Sequence, residues 1–341
     1  MRVLVYEFLC GGGWGESLFP KSLIREGKAM FQALLEDFSR IPGVTVVTTW
    51  DTRLADRPLS KKSNIEWHPV STPERDIPLL KEIGPTVDLG LIVAPEFQNK
   101  LRSRCHILRE AGIPLLNCDD EAIRLCSDKL ETFRFCSENG IPTIPTQLAT
   151  TPPTEFPCVV KLRDGAGCLQ MERIVSPADW ERWSAIAETA DFLVQPELPG
   201  RACSVGGIFR NGTVVSVLPV AEQILTRERN ISYLGGRIPA PDAQRDSVVS
   251  MVRQIASVLP GLNGYVGFDL LLNPPSPPIL VEMNPRVSTS YVGYRQLTEQ
   301  NLAELMIHGA PETDVVFKGR VAFHADGTIH AEIPMMESES L

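Results

Sequence analysis

The 341 residues predict a mixed α/β and α+β protein, long enough for two or three domains. Three observations carry this reading. The chain opens strand, helix, strand. A small-residue loop joins two strands in its middle. Two late strands, Gly264–Leu272 and Ile279–Asn284, are joined by a proline-rich connector that cannot continue a sheet.

Arg2–Phe8 reads as the opening strand, running into Gly11–Gly15. The spacing is wrong for a dinucleotide fingerprint, because Gly11 and Gly13 are followed by Glu16 where a third glycine belongs. What remains is a flexible turn at a strand's carboxyl end, where open sheets bind ligands, with Glu7 facing a substrate. Met30, Phe31, Leu34, Leu35 and Phe38 recur at helical spacing over Arg25–Arg40, and Val44–Thr49 is a second strand. A strand at Val87–Ala94, a helix at Pro95–Ala111 and a short strand at Ile113–Asn117 close the first unit.

The second unit begins at Cys118. Asp128 and Glu131 form a capping pair for a helix whose first turn holds Lys129. A cation there opposes the helix dipole, so Lys129 is either a solvated surface residue or part of an anion site. A second lysine, Lys161, closes the strand Phe156–Lys161. The loop Arg163–Cys168 follows, and its backbone amides can close over phosphates before another strand through Ile174. Ser176 and Pro177 start a helix, and Phe192–Leu198 is a strand. Cys203–Phe209 and Thr213–Pro219 form a hairpin through Asn211-Gly212. Thr226–Arg237, with Arg227, Arg229 and Arg237, is either a connection or a cover over a site, and Arg237 is the preferred phosphate or substrate contact.

After a helix over Asp242–Leu259 come the two late strands. Val266, Phe268, Leu270 and Leu272 share a face opposite Asp269, while Ile279, Val281 and Met283 oppose Glu282 and Asn284. Closing the hairpin at Leu272 and Ile279 sets Asp269 against Glu282. Like charges so paired destabilise a sheet unless a cation joins them. Two carboxylates and an amide are a hard-cation set, suited to Mg²⁺ that keeps waters and bridges phosphates. The fork of Arg286 suits a phosphate or carboxylate. Ser288 and Thr289 are placed to bind a carboxylate substrate, or else cap a helix. Gln296–His308 reads as a helix, and Val315–Phe323 with Thr328–Ile333 as a terminal hairpin before an acidic tail.

Asp269 followed by Glu282-Met-Asn284-Pro-Arg286 resembles the metal signature of the ATP-grasp superfamily, in the form found in carbamoyl phosphate synthetases. The resemblance implies an ATP-grasp fold with an N-terminal Rossmann-like, pre-ATP-grasp α/β domain. It implies phosphate binding by Lys129, Lys161 and the hairpin Asp164, Gly165, Ala166 and Gly167, and adenine contacts from Gln195, Glu197 and Leu198. Where many members hold ribose with an acid, this chain has Ala202. The implied division is a pre-ATP-grasp domain at 1–117, a central subdomain at 118–194, a C-terminal subdomain with the metal site at 195–310, and a hairpin and tail at 311–341. The implied cofactors are ATP and two Mg²⁺ ions, with Mn²⁺ as a substitute. The implied reaction is phosphorylation of a carboxylate, then attack on the acyl phosphate by an amine. Val5–Phe8, Ser22–Phe31 and Asp37-Phe38 resemble tyramine–glutamate ligases of methanofuran-type cofactor biosynthesis, which implies joining the γ-carboxyl of glutamate to tyramine or tyrosine.

A net charge of −9 without a long basic run argues against nucleic-acid binding. No apolar run approaches the roughly 18 residues of a membrane span, and no signal peptide is recognisable, so a cytoplasmic protein is expected. Eight cysteines without a CxxC pair read as buried free thiols, and five scattered histidines offer no zinc spacing. The expected partners are small molecules, an amino-acid carboxylate and an amine, with no membrane; a homodimer is compatible with the chain.

Overall fold

The computed structural model describes residues 1–55, 57–59, 61–226, 228–309 and 315–330. Its first part runs β1 (Arg2–Glu7), α1 (Lys21–Arg40), β2 (Thr45–Asp51), β3 (Ile65–Val70), α2 (Asp76–Ile83), β4 (Leu89–Val93) and α3 (Lys100–Glu110). The strands form a parallel sheet in the order β3-β2-β1-β4. The predicted stripe of α1 is buried from Met30 through Phe38, with Phe31 stacked on Trp50. β3 and α2 were not anticipated: β3 is a half-exposed edge strand, Ile-Glu-Trp-His-Pro-Val, whose alternation is weak. The strand expected at Ile113–Asn117 reduces to one bridge, Leu115 to Gly90, after which the Asn117 amide takes over by accepting from Ile92 N and donating to Ile92 O.

The glycine turn after β1 is a packing feature rather than a flexible ligand loop. A Cβ on Gly11 would sit 2.6 Å from Thr49 Oγ1, and one on Gly13 would sit 2.4 Å from Phe8 Cδ2. Glu7 is 2 % exposed and accepts a hydrogen bond from Cys10 N, so its carboxylate stitches this turn together.

The middle of the chain holds α4 (Asp120–Ser127), α5 (Lys129–Glu138), β5 (Gln147–Leu148), β6 (Cys158–Leu162), β7 (Glu172–Ile174), α6 (Pro177–Ser184) and β8 (Phe192–Pro196). The strands make an antiparallel sheet ordered β5-β8-β6-β7. Trp180 and Trp183 of α6 cover it, packed with Phe192, Val160 and Ile174. Ser176 Oγ accepts from Asp179 N with Pro177 in the first position, the cap read from sequence. Asp128 caps α5 by accepting from Leu130 N and Glu131 N, but Glu131 pairs with Arg134 instead of reaching back.

The remainder forms one eight-stranded sheet. Its elements are β9 (Arg201–Arg210), β10 (Thr213–Val217), β11 (Ala221–Leu225), β12 (Tyr233–Ile238), α7 (Arg245–Val258), β13 (Gly264–Leu272), β14 (Ile279–Asn284), α8 (Tyr291–Tyr294), α9 (Leu302–His308), β15 (Val321–His324) and β16 (Ile329–His330). The order is β14-β13-β9-β11-β12-β15-β16, with β10 on β9. Asn211 and Gly212 turn β9 into β10 with φ of 48° and 78°, both left-handed as this hairpin turn requires. Thr226–Arg237 is no open cover, since its second half is β12, paired with β11. Arg229 at the tip bonds Glu172 of β7; Arg227 lies outside the described residues. The expected helix 296–308 is cut short to α9, which Asn301 caps by accepting from Ala303 N. The terminal hairpin forms as β15 and β16 around Asp326-Gly327, while residues 331–333 of its predicted second strand lie outside the described residues.

Candidate active site

β13 and β14 pair antiparallel with Asp269 directly opposite Glu282, the register expected from sequence. The route to that register differs. Leu271, not Leu272, faces Ile279, and the ladder shifts by one residue after Asp269, leaving Val281 as a bulge. The bulge sends Leu280 and Met283 into the core, 0 % and 2 % exposed, and leaves Ile279 and Val281 half-buried, against the strict alternation predicted for this strand.

Around the two acids a cavity opens between the glycine hairpin and the large sheet, with a wall supplied by α1. Lys129 enters from the first turn of α5 and Lys161 from β6. Their ammonium groups lie 3.6 and 3.3 Å from Glu282 Oε2. Lys129 also donates to Gly165 O at 2.5 Å, tying it to the hairpin. Asp269 accepts from Gln223 Nε2 at 2.9 Å and Asn284 Nδ2 at 3.3 Å.

The charges settle accordingly. Burial and the neighbouring Glu282 push the Asp269 carboxyl up. Burial works against ionised Glu282 as well, but the two lysines outweigh it and hold Glu282 low. Burial lowers Lys161, with Glu282 opposing. A proton on Asp269 relieves the repulsion that a divalent cation would otherwise relieve. The donor set fits Mg²⁺: two carboxylates and one amide, all oxygen donors, too few for a complete cage, which suits an ion that keeps waters and bridges phosphates. Among the described residues no cluster of three or more His, Cys, Asp or Glu is placed to hold a metal.

Arg286 lines the cavity and is held by Glu96, Nε to Oε1 at 2.9 Å and Nη2 to Oε2 at 3.1 Å. Ser288, Thr289 and Ser290 follow along the wall. Ser288 Oγ meets Tyr265 OH at 3.0 Å, and Thr289 Oγ1 donates to Glu26 Oε2 at 2.9 Å. No side chain caps α8, so capping does not account for them.

Several expected residues lie elsewhere. Glu7 does not line the cavity, being consumed by its turn. Arg237 pairs with Glu222, its cross-strand partner, at 2.9 Å and is absent from the lining. Gln195 is buried and donates to Thr146 Oγ1, Glu197 accepts from Arg173, and Leu198 stands outside the lining. Of the glycine hairpin, Gly165 and Gly167 line the cavity, whereas Asp164 accepts from Gln98 N and Ala166 is packed away. Ala202 does line it, offering only a methyl group.

Sequence reasoning missed Glu26, Glu96, Gln223 and Tyr233. Glu26 was detectable as an acid on the buried side of α1, between Leu23 and Met30. Glu96 follows a strand's carboxyl end, a ligand-prone position. Gln223 and Tyr233 carried no signal, because their faces depend on the irregular β11–β12 pairing. Seven of the eight cysteines are buried free thiols, while Cys168 is partly exposed and lines the cavity.

Residues 126–290 match the family described as ATP-grasp domain, and residues 44–123 the pre ATP-grasp 3 domain. The tyramine–L-glutamate ligase of Methanocaldococcus fervens is 26% identical over 321 residues, covering 93% of this chain and 96% of the relative. That of Methanocaldococcus jannaschii is 26% identical over 318 residues, covering 93% and 91%. The crystal structure of an ATP-grasp superfamily protein from Archaeoglobus fulgidus superimposes with a TM-score of 0.68 at 22% identity, covering 95% of this chain and 92% of that one. With its two family matches in tandem and curated ligases similar along nearly its whole length, this chain belongs to the ATP-grasp superfamily, as an ATP-dependent ligase with an N-terminal pre-ATP-grasp domain.

Proposed function

We propose that this protein joins the γ-carboxyl of L-glutamate to the amine of tyramine, or of tyrosine, at the expense of ATP and by way of an acyl phosphate, in assembling a methanofuran-type cofactor. The single observation that carries the reaction type is the convergence on Glu282. An acid in direct register with a second acid, and within 3.6 Å of two lysine ammonium groups, is a costly arrangement that a bound metal–polyphosphate would satisfy. The substrates follow from the two curated relatives.

In this reading Lys129, Lys161 and the hairpin from Gly165 to Gly167 position the triphosphate, and Asp269, Glu282 and Asn284 hold Mg²⁺. When bound, the metal neutralises charge on the phosphoryl oxygens. Arg286, oriented by Glu96, meets the substrate carboxylate with Ser288 and Thr289 beside it. The carboxylate oxygen takes the γ-phosphoryl group and ADP leaves. The amine nitrogen then attacks the acyl carbon, and the C–O bond breaks with phosphate carrying off the electron pair. Such chemistry rests on positioning and charge stabilisation rather than a protein nucleophile. The apolar lining, including Ala202, Leu271 and Val281, is left for the nucleoside.

The test is ADP release by purified protein given ATP, Mg²⁺ and L-glutamate, with tyramine or with a panel of other amines. Release with tyramine or tyrosine above the panel is expected. Release with another amine, and none with these two, removes the substrate identity and leaves a ligase for a different pair. Nucleotide binding without release under any combination leaves a non-catalytic module.

A further inference from the structure

The wall that α1 contributes carries an acid with no task in the scheme above. Glu26 is partly buried, lines the cavity, and takes a hydrogen bond from Thr289 Oγ1. Among the described residues it has no ion-pair partner. A carboxylate withdrawn from water, with Arg286 and Arg25 acting on it without an ion-pair contact, can take on a further cation.

Its neighbours bound the space such a cation would take. Glu26 faces the glycine hairpin, where a Cβ on Gly167 would stand 3.7 Å from Glu26 Oε1. Arg286 lies within electrostatic reach of Glu96, Glu26 and Glu282, and Thr289, three residues on, carries the hydrogen bond to Glu26. A carboxylate held at Arg286 would therefore lie in the same cavity as Glu26, close enough for an amine bound at Glu26 to reach it. An alkyl amine arrives at neutral pH as an ammonium ion, which must be bound and then lose a proton before it can attack.

We propose that Glu26, oriented by Thr289, binds the ammonium group of the acceptor amine and takes its proton. This rests on the ligase reading. One N–H proton passes to the Glu26 carboxylate, and the freed lone pair forms the C–N bond. The tetrahedral adduct collapses with cleavage of the C–O bond, and the departing phosphate takes the electron pair and the second N–H proton. Burial raises the proton affinity of Glu26 above that of an ordinary glutamate, against the pull of Thr289 and Arg286, which suits a group that must receive a proton.

Glu26→Gln in the full chain tests this, because glutamine still accepts from Thr289 and a purely structural tie would survive. The readouts are ADP release with tyramine, or whichever amine of the panel elicits it, and ATP-dependent hydroxamate formation from glutamate with hydroxylamine, a small nucleophile uncharged at neutral pH. The KM for the amine should rise about 10- to 100-fold, the loss expected for a hydrogen bond to a charged group. Hydroxamate formation should stay within about twofold, since activation of the carboxylate is untouched. An equal fall in both reactions, a raised KM for glutamate, or no change in either overturns the proposal. Wild-type protein that yields neither hydroxamate nor ADP with any amino acid overturns the ligase reading itself, and the subsite with it.

Discussion

At Gly11–Gly13, after β1, and again at Gly165–Gly167, after β6, a glycine-rich turn leaves a strand near buried acids, and in sequence the two look alike. In the first, the glycines exist because Thr49, Val70 and Phe8 occupy the space a side chain would need, and Glu7 is used up on the Cys10 amide. In the second, Gly165 and Gly167 line a cavity, and nearby Glu282 faces two lysines at 3.3 and 3.6 Å. The first turn is complete within itself; the second holds charge that an external ligand can compensate. Glycine content does not separate a folding feature from a binding feature, whereas the partners of the neighbouring carboxylates do.

The strongest way to break this contrast is Glu282→Ala. Turnover should fall at least about 10³-fold, the scale of removing a group that stabilises transferring charge. The fold should persist, because Asp269 can ionise in its place beside the lysines. ADP release and a thermal melt read the two effects separately, and unfolding instead of inactivity would make Glu282 structural. Gly11→Ala should act the other way round. Its added carbon meets Glu7 O at 2.7 Å, a backbone atom that cannot step aside. Overpacking of that kind costs about 1–3 kcal/mol, measurable by urea unfolding, with KM values of the surviving folded protein unchanged.

That contrast also marks how far the sequence could be read. The two lysines and the glycine hairpin were legible because each depends on short-range pattern, a cap and a turn, whereas the facing of Asp269 and Glu282 was reached because a closure one residue earlier and the bulge offset each other. The Val281 bulge was not legible, since Leu280 and Met283 choose the core over Ile279 and Val281 only once α4 and α5 pack on β14. Arg237 looked available until β11 set Glu222 opposite it. Glu7 was read as facing a substrate and Glu26 was passed over, until the packing of the glycine turn claimed the first and the cavity the second.

Gly167→Ala sharpens the comparison from the other side. Gly167 holds φ of +62°, and its added carbon would meet the tip of Leu23 at 2.6 Å, a side chain able to move. The left-handed backbone costs about 1–2 kcal/mol for alanine. The main consequence should be on ligand handling: the KM for ATP rises while the melting temperature falls only slightly. A large loss of stability with an unchanged KM would put this turn in the same class as the first.

Glu7→Gln is the smallest perturbation and the most direct probe of the first turn. Burial raises the Glu7 carboxyl above its ordinary value, against the Cys10 and Leu9 amides that favour its charge. A carboxyl raised in the folded state binds its proton more tightly there than in the unfolded chain. Its stabilising contribution is therefore fully present below the unfolded value and is lost as pH rises through the folded one. Glutamine can still accept from Cys10 N through its carbonyl and has nothing to ionise. The variant should melt close to wild type in acid and gain on it progressively as pH rises toward neutrality, with turnover unchanged. A variant that loses turnover while melting normally would return Glu7 to the substrate site, and the two glycine turns would then differ in degree rather than in kind.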